Sequence, residues 1–168
     1  LDTADIDTDD RGFIETDAYL QTTAENVWAQ GDIAGNALFK DSGDYETRHT
    51  VANVVHGESR AIDLSAMPHT IFTEPQIAGV GATEEDLNDA ETAHVAGRAD
   101  YADSAMSRAK KLDRGFVKVL AAPDGEILGA HAIGYEASTL LHEAVLAMRT
   151  GATVDNVAVI GYRDPRPD

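Results

Sequence analysis

Apolar residues return along this chain at two spacings, and the spacings divide it into elements. Within residues 136–149, Ala137, Leu140, Leu141, Ala144, Val145 and Met148 recur every three or four positions, which predicts an amphipathic helix ended by Thr150 and Gly151. Val51, Val54 and Val55 give a predicted helix over 45–56 its apolar face, with Gly57 as its C-terminal cap. Thr83 and Asp86 form a capping box that starts a short helix at 84–89, and another short helix is expected at 154–158. Runs of period two or of continuous apolar character predict strands. Those at 116–121 and 126–133 flank Pro123, Asp124 and Gly125, and Asp-Gly between apolar runs signals a β-hairpin. Further strands are predicted at 69–73, stopped by Pro75, and at 92–101, with a short buried one at 27–29.

The strand-rich second half, with helices segregated behind the strands, reads as α+β: a mainly antiparallel sheet with helices on one face. Residues 61–68 read as a crossover linker, with the domain boundary near Met67 and Pro68. The expected organisation is a first domain over 1–66, a second over 67–158 and a divergent tail over 159–168. No internal repeat or low-complexity segment stands out. The chain starts at Leu1 without Met, so it is read as an interior piece of something longer.

Composition sharpens the picture. Thirty Asp and Glu against thirteen Lys and Arg give a net charge of −17, and the lysines are confined to Lys40, Lys110, Lys111 and Lys118. A field of that sign repels phosphate backbones and argues against nucleic-acid binding. No apolar run approaches the ~18 residues needed to cross a bilayer, and no secretory leader is visible, so a cytoplasmic setting without a membrane partner is expected. The periodic apolar residues argue against disorder. An ordered, acid-coated, lysine-poor surface suits a salt-saturated cytoplasm, where screening removes most self-repulsion. Cysteine is absent, so this chain builds no disulfide, thiolate nucleophile or cysteine metal site.

Several apparent motifs fail on their own chemistry. Asp7, Asp9, Gly12 and Ile14 match part of a calcium loop, but Arg11 would occupy a ligand position and Ala18 the place of the bidentate Glu. His49 and His56 are seven apart, too far for a two-histidine helical metal site. Gly79, Gly81 and the residues to Glu84 imitate a dinucleotide fingerprint, yet Glu84, Glu85 and Asp86 crowd the helix end where a pyrophosphate would sit. Adjacent His142 and Glu143 point about 100° apart on a helix and form no acid–base pair. Glu143 is expected as a polar anchor near an interface. The stretch around Gly31 and Asp32 is different: a short strand, a glycine, a carboxylate at the strand's C-terminal edge, a small-residue turn and then a helix. Asp32 is placed there to accept hydrogen bonds from a sugar-like hydroxyl, with Gly31 allowing close approach.

Val27-Trp28-Ala29-Gln30-Gly31-Asp32-Ile33-Ala34-Gly35 resembles the second flavin-contacting motif of the pyridine nucleotide-disulfide oxidoreductases, which include dihydrolipoamide dehydrogenase and the glutathione, mycothione and mercuric reductases. The likeness continues through Arg11 to Asp17 upstream and Ile71 to Gly81 downstream. Gly115 to Val119 and Ile127 to Gly134 resemble central strands of the family's dimerisation domain, and Met106-Ser107-Arg108-Ala109 resembles a turn it carries. The resemblance implies that 1–66 is the end of an FAD-binding α/β domain and 67–158 a dimerisation domain. It implies FAD in the full-length parent, held in part by Gly31 and Asp32, with Asp32 on a ribityl hydroxyl. A helix starting around Leu38 and Phe39 would point its N-terminus at the flavin, and Lys40 is the candidate polar residue at that turn.

In the family, electrons pass from nicotinamide through flavin to a redox-active cysteine pair. This sequence has neither the cysteines nor the nucleotide-binding glycine loops. The closing His-x-His-Pro pattern is also missing; Asp164 stands nearest before a Pro, and a carboxylate ionised at neutral pH does not replace an imidazole acid. No catalytic residue is therefore assigned. The expectation is the C-terminal portion of a flavin-dependent NAD(P)H:disulfide oxidoreductase, most like dihydrolipoamide dehydrogenase, inactive alone and homodimeric through 67–158. The alternatives are a non-catalytic homodimerisation module with a vestigial flavin motif and, more weakly, an acidic cation-binding protein.

Overall fold

In the computed structural model, residues 2–160 are described. The chain forms two compact units, one ending at Leu64 and the other beginning at Ser65.

The first unit opens with a 3-10 turn, Asp2–Ala4, and folds back on itself through isolated bridges: Thr8 with Ile14, Thr16 with Thr22, and Gln21 with Trp28. Asp9 shapes the first bend. Its carboxylate accepts from the backbone N–H of Arg11 at 2.9 Å and of Phe13 at 3.0 Å, and the Arg11 guanidinium lies 5.0 Å from the Phe13 ring centre. The would-be calcium position at Arg11 is thus filled by an internal cation, and among the described residues no cluster of three or more His or carboxylate groups gathers for a metal. Ile14 and Leu20 are buried here.

The strand expected at 27–29 is not a strand. Trp28 bridges Gln21 singly, because Asn26 (φ 62°) just before and Gly31 (φ 72°) just after turn the backbone out of extended conformation. A 3-10 helix, Gly31–Ala34, follows it. Gly35 is fixed by packing: a Cβ there would fall 2.5 Å from the Phe13 ring.

Helix α1 spans Lys40–His56 and starts five residues before the predicted 45–56. The extra turn is held by the Phe39 carbonyl, which accepts from Ser42 Oγ at 2.6 Å and the Gly43 N–H at 3.1 Å, and by an i,i+4 ion pair from Lys40 to Asp44. Gly57, at φ 66°, ends it as expected. The valine face was misassigned: Val51, Val54 and Val55 are exposed, while Ser42, Glu46 and Ala52 are buried.

The second unit is a five-stranded antiparallel sheet, in the order β1-β2-β5-β4-β3. The strands are β1 His69–Ile71, β2 Gln76–Gly81, β3 Val95–Asp100, β4 Phe116–Ala121 and β5 Ile127–Gly134. The predicted hairpin is the β4–β5 pair, with a bulge at Leu120 and Ala121. Helix α4, Ala137–Thr150, lays Ala137 and Leu141 on Ala78, Val80, Ala130 and Ala132, flanked by Val117, Val119, Val145 and Met148. The period of two in the strands and of 3.6 in the helix therefore meet in one core. Helix α2 (Glu84–Asp89) carries the predicted capping box, and α5 (Val154–Ile160) closes the described residues.

Strand β2 was not expected at all, and beyond shifts of one or two residues at the ends of β5, α4 and α5, three other segments differ from expectation. β1 stops at Ile71, where the Thr73 hydroxyl donates to the Pro75 carbonyl and draws the chain out of the ladder. β3 covers six residues rather than ten, because Tyr101–Asp103 coils into a 3-10 turn. Residues 106–109, expected as a turn, lie in helix α3 (Ala105–Lys110): Ser104 caps it by accepting from the Ser107 N–H at 3.0 Å, and Lys111 (φ 58°) ends it.

Candidate functional site

The loop from Gln30 to Phe39 carries the sequence-predicted site residues. Gly31 adopts φ 72°, a left-handed conformation that favours glycine, and a Cβ built on it would meet nothing within 4 Å. Its Cα thus borders open space. Asp32, in the first turn of the 3-10 helix, is exposed, and its carbonyl accepts from the Gly35 N–H at 3.2 Å. The cap position of that turn belongs to Gln30, with no side chain capping it, so the Asp32 carboxylate is not consumed as a cap. A carboxylate facing solvent beside an unobstructed glycine suits a ligand hydroxyl, and a polyol arm fits the donor–acceptor chemistry.

The rest of the predicted set is arranged differently. Leu38 lies outside the helix in a left-handed conformation (φ 55°) and is half exposed. Phe39 is the N-cap of α1, supplying no side-chain cap bond. Lys40 is the first helical residue, and its ammonium lies 2.5 Å from Asp44 and 3.7 Å from Asp41. The hydrogen bond and charge of Asp44 hold its pKa above the ordinary lysine value. Lys40 is therefore committed to a local, solvent-exposed pair. The structure brings Gly31 against the first turns of α1, since a Cβ on Gly43 would sit 3.6 Å from Gly31 Cα.

Two residues that the sequence reading missed organise this loop. The Glu46 carboxylate accepts from the Gly31 N–H at 2.5 Å and from Asn36 Nδ2 at 3.1 Å. A signal for Glu46 exists only as the polar i,i+4 pair Ser42 and Glu46, which an apolar periodicity search passes over.

In the second unit, the sheet face opposite α4 bears a row across the strands. Backbone register aligns His69 with Gly79, Gly79 with His131, His131 with Lys118, and Lys118 with Arg98. His131 Nε2 lies 2.9 Å from the Ala82 carbonyl, and Lys118 pairs with Glu84, whose other oxygen is 3.9 Å from His94. Burial, then the neighbouring His131, holds the His69 pKa below its ordinary 6.5. On the α4 side, a groove of about 400 Å³ is lined by Val117, Val119, Leu140, Glu143, Val154 and Val157. Glu143 and His142 are both exposed on α4. Asp164 and the rest of the tail from 161 lie outside the described residues.

Comparison with known proteins places this geometry. The dimerisation domain of the pyridine nucleotide-disulphide oxidoreductases matches residues 67–162. Dihydrolipoyl dehydrogenase 3 of Haloarcula marismortui is 31% identical over 166 residues, and the dihydrolipoyl dehydrogenase of Halobacterium salinarum 37% over 166 residues; each match covers 98% of this chain and 35% of the relative. The chain thus spans about a third of the length of these relatives. Among solved structures, the HOCl-induced flavoprotein disulfide reductase RclA from Escherichia coli superposes with a TM-score of 0.83 at 23% identity, over 98% of this chain and 38% of that one. LpdA from Mycobacterium tuberculosis gives 0.82 at 22%, over 96% and 36%. At those identities the structures speak for the fold, an α+β arrangement with a five-stranded antiparallel sheet. This chain belongs to the pyridine nucleotide-disulphide oxidoreductase family and carries its dimerisation domain.

Proposed function

We propose that the chain is the C-terminal, FAD-contacting and dimerising portion of a flavin-dependent NAD(P)H:disulfide oxidoreductase most like dihydrolipoyl dehydrogenase, working in a salt-rich cytoplasm. Residues 1–66 would close the FAD domain and 67–158 pair with a second copy. The observation that carries the flavin assignment is the exposed Asp32 carboxylate beside Gly31, whose missing side chain leaves room for a ligand. Asp32 would accept a hydrogen bond from a ribityl hydroxyl, while the neighbouring α1 N-terminus would add a favourable dipole toward the flavin. Flavin, when bound, supplies the two-electron relay between nicotinamide and disulfide. The chain itself has no cysteine, so the redox pair and the nicotinamide site would belong to the longer protein.

The pairing assignment is supported by the family match and by large apolar side chains exposed on the second unit, including Phe72 at 75%, Leu146 at 64% and Val95 at 63%. The test is purification in molar salt, with the visible flavin spectrum and the mass in solution measured together. A yellow dimer whose Asp32→Asn variant loses flavin and stays dimeric is the expected result. A colourless monomer overturns both parts. A colourless, stable dimer favours the second reading, a homodimerisation module with a vestigial flavin motif. That reading draws on the engagement of Lys40 by Asp44 and of the Gly31 N–H by Glu46, which takes both away from a ligand.

A further inference from the structure

Glu46 is 1% exposed, and burying a charge is costly unless hydrogen bonds compensate it. Its two oxygens take donors from the two sides of Asp32: the Gly31 N–H, one residue before, and Asn36 Nδ2, four residues after. The same helix grips the same loop twice more. Gln30 Nε2 donates to Thr47 Oγ1 at 2.8 Å, and Gly43, one turn earlier, lies against Gly31, whose Cα is 3.6 Å from where a Gly43 Cβ would stand. We infer that Glu46 is the positioning residue of this loop: its carboxylate ties Gly31 to Asn36 and so holds Asp32 turned outward toward its ligand. The inference rests on the flavin reading for what Asp32 touches, and on the loop geometry for what Glu46 does.

Glu46→Gln keeps the tie, because its Oε1 still accepts from the Gly31 N–H while the Asn36 amide turns its Oδ1 to the new Nε2. Glu46→Leu is of similar size and has no acceptor, so both donors lose their partner. A residue that only filled space would be replaced equally well by either side chain.

The experiment is amide hydrogen exchange by NMR on the 168-residue chain in molar salt, following Gly31, with Ala130 in β5 as internal control. Glu46→Leu is expected to speed exchange at Gly31 at least about tenfold, the loss of a hydrogen bond to a charged group, with Ala130 unaffected. Glu46→Gln is expected to leave Gly31 close to wild type. Equal Gly31 exchange in wild type and Glu46→Leu overturns the inference, as does equal acceleration in Glu46→Gln and Glu46→Leu. If Glu46→Leu frays all of α1, Asn36→Ala, which removes the second donor from outside the helix, is expected to speed Gly31 exchange by itself, and no change there overturns the inference. Flavin titration separates the two readings: a wild-type chain that takes up no flavin, yet shows this exchange pattern, overturns the flavin assignment and leaves Glu46 as the residue that holds the loop.

Discussion

Gly129, in the central strand β5, is a position at which one methyl group should cost heavily. A Cβ built there lies 2.1 Å from the Ala82 carbonyl oxygen and 3.1 Å from the Ala82 N and C. The obstacle is backbone, so no rotamer change relieves it; the β2–α2 connection must move by roughly 1 Å to reach ordinary contact. That connection is anchored by two bonds, Ala82 N–H to the Leu128 carbonyl at 2.9 Å and the His131 ring nitrogen to the Ala82 carbonyl at 2.9 Å. Losing both costs about 2 kcal/mol. Overpacking adds about 1–3 kcal/mol. The entropic gain of replacing glycine returns about 0.4–1 kcal/mol. Gly129→Ala should therefore destabilise the second unit by about 2–5 kcal/mol, a large share of the ~5–15 kcal/mol typical of a domain. Equilibrium urea unfolding in molar salt reads this as a midpoint lowered by roughly 1–3 M at unchanged slope. Gly97→Ala in β3 is the control: its Cβ would meet only the Val119 carbonyl, at 4.0 Å, and should change stability by less than about 0.5 kcal/mol. A loss below about 1 kcal/mol for Gly129→Ala, or an equal loss for Gly97→Ala, refutes the packing argument.

The histidine row gives a pH prediction: because burial and His131 depress the folded-state pKa of His69 below 6.5, its contribution is intact above that pH and is lost as pH falls through the depressed value. Urea midpoints of the second unit should drop on acidification below about pH 6.5, and His69→Gln should flatten the profile; midpoints that rise or stay level contradict this. Thr83→Ala removes the hydroxyl's two bonds in the α2 capping box, the Asp86 N–H to Thr83 Oγ1 bond (3.1 Å) and the Thr83 hydroxyl to Asp86 bond (2.6 Å), keeps the backbone N–H of residue 83 on Asp86, and should cost about 1 kcal/mol. The Asp86 carboxyl, held below its usual value first by the Thr83 hydroxyl, should then titrate higher by NMR. With a net charge of −17, the chain should melt at rising temperature as KCl is raised from dilute to molar; a melting temperature indifferent to salt would remove the salt-adaptation reading.

Local chemistry was enough to read several elements of both units, though not strand β2. Asp124 and Gly125 between apolar runs announced the β4–β5 hairpin, Thr83 and Asp86 the start of α2, and Gly57 and Gly151 the ends of α1 and α4, because each signal acts within a few residues. The resemblance of residues 71–81 and 127–134 to a family's dimerisation domain was carried by residues adjacent in sequence. What tertiary structure alone decided involves partners far apart in the chain. The buried face of α1 is Ser42 and Glu46 rather than the valines because the loop at Gly31 packs there. Likewise the row from His69 to Arg98 exists only through the register of five strands. The sequence alone determined the spacing of apolar groups and the local caps and turns; which polar group is buried and what it holds depended on contacts 10 or more residues away, such as Glu46 with Asn36 and Gly31.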